Sequence, residues 1–348
     1  MPLYKGHFNN YVMKPAKTGI ISSLSNVVRR YLILFTIFSA LLALPLSNVL
    51  VIDKALVSNL VTFLAILTIY PSMIQLKMEG LMKSIKQFKQ IALSIFYVFI
   101  VSPLLSFLIA PCLRDPHVGV GYFAANVVPA SSASLGYVLI AGGSVELATV
   151  LATLTLFMGI PIIPFLISLY SSSTSIPVPI EPIVTSLLEV LLLPLIIGQL
   201  TRYLIIKNKG LPYVEKNIKP HLSLATMLSM LALIFVLVLN QATKIIKEPT
   251  MAISIIFYQS IVIATLLLAS LLISKSLKIS YEDHQAISLI SVTKNQSVAA
   301  VIAVSALGPQ SALAPALIPI IQPILAVAYL HLEGWIKRFL GGVYRGRR

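Results

Sequence analysis

Ten long apolar runs divide this chain, with short polar and basic segments between them. They cover about 31–50, 56–76, 90–113, 118–141, 144–170, 183–205, 221–243, 251–274, 284–307 and 311–332. A hydrocarbon core of about 30 Å takes roughly 20 apolar residues of α-helix to cross, and each run has that length. The apolar residues run on without alternating, which predicts helices and not barrel strands. The pattern therefore predicts an all-α integral membrane protein with ten transmembrane helices.

The two halves of the pattern echo each other. Ala92–Phe96 (ALSIF) begins the third run and Ala252–Ile256 (AISII) the eighth. Leu44-Pro45-Leu46 in the first run matches Leu193-Pro194-Leu195 in the sixth, and the fifth and tenth both hold proline pairs, Pro161/Pro164 and Pro319/Pro323. The fourth and ninth are interrupted by polar residues in mid-run and followed by Gly142-Gly143 and Gly308-Pro309. Five spans per half is an odd number, so two such halves lie in opposite orientation, the inverted-repeat plan of many secondary transporters. The expected organisation is a cytoplasmic tail at 1–30, a first five-helix repeat at 31–170, an extracytoplasmic linker at 171–182, a second repeat at 183–332 and a basic cytoplasmic tail at 333–348.

Composition fits lipid as the solvent: 57% of the residues are hydrophobic and 11% charged, where a soluble domain spends about a quarter on charge. The net charge of +15 is a topology signal. With the N-terminus inside, 21 of the 26 Lys and Arg residues fall on the inner side, four (Lys54, Arg114, Lys244, Lys247) on the outer side, and Lys294 within a span. Basic residues favour the cytoplasmic side, so both termini are expected in the cytoplasm of a multi-pass cell-membrane protein. The basic segments suit anionic lipid heads, and nucleic acid is not an expected partner. Met1–Arg30 shows no pattern of a removable signal peptide. Cys112 is a single cysteine, and His7, His117, His221, His284 and His331 form no ligand-spaced pair, so no cofactor or metal is expected. Phosphate-binding and nucleophile motifs are absent, which argues against an enzyme or an ATP-driven pump.

The interruptions carry the candidate chemistry. The fourth run contains Pro129-Ala130-Ser131-Ser132-Ala133-Ser134 and the ninth Thr293-Lys294-Asn295-Gln296-Ser297. Polar, irregular backbone survives within a membrane only when it lines a cavity or is buried in protein, and matching interruptions in two halves point to a transporter's binding site. Pro129, Ser131, Ser132, Ser134, Thr293, Lys294, Asn295, Gln296 and Ser297 are the expected substrate-binding residues. The competing reading is helix–helix glue, a common use of Ser, Thr and Asn in membranes.

Lys294 is the most informative of these. A charge at the bilayer centre costs about 3 kcal/mol or more, so the amine is either neutral or charged and paired. Glu189, in the sixth run, is its candidate partner. Glu146 suits the N-terminus of the fifth helix as a cap. Gln75, Gln199, Asn240, Gln259 and Gln322 are further polar groups for a cavity or for glue.

Pro129–Ala148 (PASSASLGYVLIAGGSVELA) and Thr293–Ala300 (TKNQSVAA) resemble the fourth- and ninth-helix motifs of the bile acid:sodium symporter family. Ile69–Met73 (IYPSM) and Pro194–Arg202 (PLIIGQLTR) are similar to segments of the related arsenite-efflux carriers. The resemblance covers nearly the whole chain. It implies a core and a panel domain, fourth and ninth helices that break and cross, and a solute site beside the crossing. It also exposes departures. Leu135 stands where sodium-binding members have Asn, Ser291 where they have an acidic residue, and Ala130 near the position of the arsenite carriers' cysteine.

Together these readings predict a secondary transporter of a small anionic or weakly acidic solute, an organic anion or a metalloid oxyacid. It would work by alternating access, independently of sodium, with protons as the candidate coupling ion. The alternatives are a sodium-coupled symporter, an arsenite-efflux carrier and, in a different class, a membrane sensor or channel-like protein.

Overall fold

The computed structural model describes residues 20–50, 52–78, 87–174 and 176–341. The basic residues Lys5, Lys14, Lys17, Lys83, Lys86, Arg345, Arg347 and Arg348, counted above for orientation, lie outside the described residues.

Continuous apolar sequence satisfies its backbone internally as helix, and helix is what forms. Helices α1 (Ile20–Arg30) and α2 (Leu32–Leu46) meet at a 76° bend. There follow α3 (Lys54–Gln75), α4 (Phe88–Cys112), α5 (Pro116–Val127), α6 (Ala133–Ile140) and α7 (Val145–Thr174). The second half holds α8 (Ile180–Lys209), α9 (Leu211–Lys247), α10 (Pro249–Ser276), α11 (Tyr281–Val292), α12 (Gln296–Leu307), α13 (Pro309–Leu330) and the short α14 (Glu333–Phe339).

Among the described residues, seven helices are long and apolar enough to cross a membrane, or eight if the bent α1–α2 pair is one span. The interrupted fourth and ninth runs are not single helices. They form the broken pairs α5/α6 and α11/α12. Each pair ends at a glycine with positive φ, Gly142 at +66° and Gly308 at +91°, a conformation an L side chain resists. Two boundaries differ from expectation. Residues 20–30 of the expected tail are helical, because Ser25 and Val28 give that segment an inner face to bury. Helix α7 reaches Thr174 and α8 starts at Ile180, so helix enters both ends of the expected 171–182 linker.

The helices pack in two groups. In the first, α2, α3 and α8 gather with the long α9, on which α1 also lies. Here α8 caps the end of α3: Gln199 Nε2 donates to the carbonyls of Met73 (2.6 Å) and Leu76 (3.0 Å), and an Arg202 guanidinium N–H donates to Ile74 (3.2 Å). The last carbonyls of a helix lack their usual donors four residues on, and of these three only Met73 keeps a local one among the described residues, the N–H of Leu76 at 3.3 Å. In the second group, α4, α7, α10 and α13 surround the two broken pairs.

Candidate functional site

Both broken helices start on side-chain caps. Asp115 accepts from the backbone N–H of His117 (2.9 Å) and Val118 (3.3 Å), with Pro116 at the first helical position of α5. Ser280 Oγ accepts from Asp283 N at 3.2 Å to start α11. Helix α5 ends where Pro129 forces the preceding Val128 into extended backbone (φ −65°, ψ 156°). Helix α11 ends at Val292, and Thr293 (φ −99°, ψ 90°) and Asn295 (φ −81°, ψ 88°) leave the helical region.

The two unwound segments meet and pair. Ala130 and Lys294 form an antiparallel β-bridge, in which Ser131 N donates to Thr293 O (2.8 Å) and Asn295 N to Pro129 O (2.9 Å). Gln322 on α13 completes the backbone of Lys294: Oε1 accepts from its N–H at 3.0 Å, and Nε2 donates to its carbonyl at 3.2 Å. Thr293 Oγ1 donates to Ser134 Oγ at 2.5 Å, and Ser134 Oγ donates to the Ser131 carbonyl at 2.5 Å. Buried peptide groups freed from a helix need such partners.

The Lys294 side chain is 2% exposed, and its Nζ donates to the Val98 carbonyl on α4 at 3.0 Å. That carbonyl is free for a reason written in the sequence. Tyr97–Val101 forms a π-helical turn, and Ser102 N donates to Tyr97 O. Val98 thus loses its usual donor four residues on, and the next residue, Pro103, has no N–H to give. The lysine supplies the missing donor.

The expected site residues divide by what they touch. Thr293, Ser134, Ser131 and Lys294 hold the crossing together. Gln296 Nε2 ties α12 to the Ala125 carbonyl (3.1 Å), while its buried Oε1 has no partner among the described residues. The side-chain polar groups of Ser132, which is half-buried, and of Asn295 and Ser297, which are buried, make no hydrogen bond among the described residues.

Glu189 is not brought to Lys294. It lies exposed on a π-helical turn of α8, Leu188–Leu192, while the lysine turns to α4. A carboxylate on an outer face has nothing to gain from reaching a buried amine already held by a carbonyl. Gln259 serves as glue, in a reciprocal amide pair with Asn126 (3.0 and 3.1 Å) that fastens α10 to α5. Sequence reading missed Asn126, and it missed the Val98 carbonyl because the acceptor there is backbone. The Pro103 signal was present.

Comparison with known proteins bears on this architecture. The model described as the Sodium Bile acid symporter family matches residues 62–248, more than half of the chain. No curated protein matches it. The chain belongs to this symporter family and is a multi-pass, all-α membrane transporter.

Proposed function

Starting from that membership, we propose that the protein is a ten-span secondary transporter that moves a small anionic or weakly acidic solute without sodium. Two inverted five-helix units bring both termini to one side, and the Lys and Arg bias makes that side the cytoplasmic one. The long helices give seven spans or eight with α1–α2, and the broken pairs α5/α6 and α11/α12 bring the count to ten. The left-handed glycines after each pair, Gly142 and Gly308, support the duplication.

The observation that carries the reading is Lys294 itself, whose unwound backbone forms the crossing and whose buried amine is held beside it by the Val98 carbonyl. A sodium site there would need oxygen ligands. Leu135 offers none, and Ser291, whose hydroxyl donates to the Ile287 carbonyl at 2.7 Å, offers a neutral oxygen where a carboxylate would bring charge. Two like charges about 4 Å apart repel by roughly 4 kcal/mol at an effective dielectric near 20. A protonated Lys294 therefore takes the place of a sodium ion as the local positive charge. The N-terminal ends of α6 and α12 start from the same crossing and add partial positive charge. With the Ser132, Asn295 and Ser297 side chains, which make no hydrogen bond among the described residues, these groups suit an anion. An amine that gains and loses a proton during the cycle couples transport to protons; one that stays charged makes the protein a uniporter.

The test is thermal unfolding of the purified protein with taurocholate, arsenite or a series of short monocarboxylates, each in sodium and in choline buffer. A ligand that binds only the folded state at a hundred times its Kd stabilises it by about 2.7 kcal/mol. An anion should raise Tm equally in both buffers. A rise that appears only with sodium overturns the proposal. Counterflow of the stabilising anion in proteoliposomes then separates a carrier, which exchanges solute, from a sensor, which does not.

A further inference from the structure

Helix α4 has one polar face, and the transport reading does not use it. Gln87, Gln90, Ser94 and Tyr97 follow at intervals of three, four and three residues, which puts them on one side of a helix. Phe88, Phe96 and Ile100 are exposed on the other side. The polar face packs against α11, where Gln90 Nε2 donates to Asp283 Oδ2 at 3.0 Å. Deeper in, the pairing stops. Ser94 and Tyr97 are fully buried, yet Ser94 Oγ and Tyr97 OH have no hydrogen-bond partner among the described residues, and neither has Gln87 Oε1 at the start of the helix. Buried hydroxyls are nearly always partnered by protein or water. Here three unpartnered oxygens lie along one seam, and the seam ends at Val98, whose carbonyl holds the Lys294 amine.

We propose that this seam is a hydrated route connecting Lys294 to the aqueous phase at the N-terminal end of α4. The inference deepens the reading of Lys294 as the charge of the site. At 1.5 Å per residue, Gln87 to Val98 spans about 16 Å. Water in the seam satisfies Ser94 and Tyr97 and carries protons past them to the amine. On uptake an N–H bond forms at Lys294 and an O–H bond breaks on the adjacent carrier. The deficit passes outward from carrier to carrier to a hydronium ion in bulk, and every hydroxyl is left neutral. The other titratable side chains on the elements around Lys294 are Tyr97 and Cys112 on α4, His117 and Tyr122 on α5, Tyr137 on α6 and Tyr329 on α13. Near the start of α4 are Lys89 on α4 itself and, on the first turn of α11, Tyr281, Glu282, Asp283 and His284. Of these Asp283 accepts from Gln90, whereas Tyr281 donates to the Ala141 carbonyl and the buried His284 bonds Ser274 and Tyr329. The solute approaches at the crossing itself, so this route lets a proton arrive by a path the solute does not block.

The experiment is cysteine labelling of the full chain in membrane vesicles, on a Cys112→Ser background. It uses a small, charged methanethiosulfonate reagent, which reacts with the thiolate and hence needs water. Ser94→Cys is nearly isosteric, and Tyr97→Cys tests the deeper position. Phe96→Cys, at the same depth but facing lipid, is the reference. Both seam cysteines should react at least about tenfold faster than Phe96→Cys. Reaction at neither position, or at one alone, overturns the proposal, because the water then fails to join the mouth to Lys294. Each variant is first shown to retain the unfolding temperature of its background. The readout involves neither solute nor sodium, so failure of the route is separable from failure of the transport reading.

Discussion

Lys294 and Pro103 are the two residues whose chemistry is most tightly linked. Proline deletes a backbone donor on α4, and lysine restores one from across the core. Replacing Lys294 with Met keeps the apolar stem and removes the donor, leaving the Val98 carbonyl buried and unpaired. Such a group costs about 1–3 kcal/mol. Lys294→Met should therefore unfold at a lower temperature than the parent. In a Pro103→Ala background the new N–H can serve Val98 or Phe99, and the same substitution should cost distinctly less. A double-mutant cycle in thermal unfolding reads this coupling, and strict additivity would remove the donor-replacement account. Thr293 makes a second test. Thr293→Val deletes the hydroxyl that bridges to Ser134 on the opposite segment and should lower stability by about 1 kcal/mol, measured by the same unfolding assay.

At the scale of elements, close approach decides which positions tolerate change. A Cβ on Gly121 of α5 would lie 1.9 Å from the Ser311 carbonyl oxygen and 2.7 Å from its Cα, both backbone atoms of α13. Backbone cannot swing aside as a side chain can, so Gly121→Ala should cost at least about 1–3 kcal/mol, seen as lost yield of folded protein on size-exclusion chromatography. The start of α5 gives a pH signature. Burial alone would raise the Asp115 carboxyl. The Lys244 ammonium and the N–H groups of Val118 and His117 outweigh burial and hold it below its ordinary value of 3.8. A carboxyl depressed in the folded state contributes stability above its unfolded value and loses it as pH falls through the folded one. The Tm gap between the parent and Asp115→Asn should thus be constant above about pH 5 and shrink below 3.8. These elements differ in how far sequence reveals them. The breaks in the fourth and ninth runs are legible because proline and a polar string are local signals. The π-helical turn at Tyr97–Val101 is not, since it depends on which donor each carbonyl finds. Pairing of the Ala130 and Lys294 segments was suggested by their matching places in two halves, whereas Gln322 as the clamp on Lys294 needed the third dimension. Glu189 misled because nearness to mid-span is not nearness to Lys294.

The whole molecule adds orientation, which neither packing nor break geometry sets. Charge does. The helix ends at Cys112, at Lys247 and at the α4–α5 turn share one side, joined by the Lys244–Asp115 ion pair. The opposite side holds the Lys77–Glu215–Lys219 cluster and Lys275, whose ammonium lies 3.9 Å from the ring centre of Phe339, the last residue of α14. The second side is the more basic, and short basic segments stay in the cytoplasm. On that rule Cys112, exposed at the end of α4, is expected to face outward, and Ser276, exposed at the end of α10, inward. A membrane-impermeant maleimide applied to intact cells should label native Cys112. On a Cys112→Ser background, Ser276→Cys should react only after the membrane is permeabilised. Labelling of each protein after permeabilisation, normalised to its amount, sets the full signal against which the intact-cell signal is read. Labelling of Ser276→Cys but not Cys112 in intact cells would invert the topology and reverse the side to which the proposed α4 route opens.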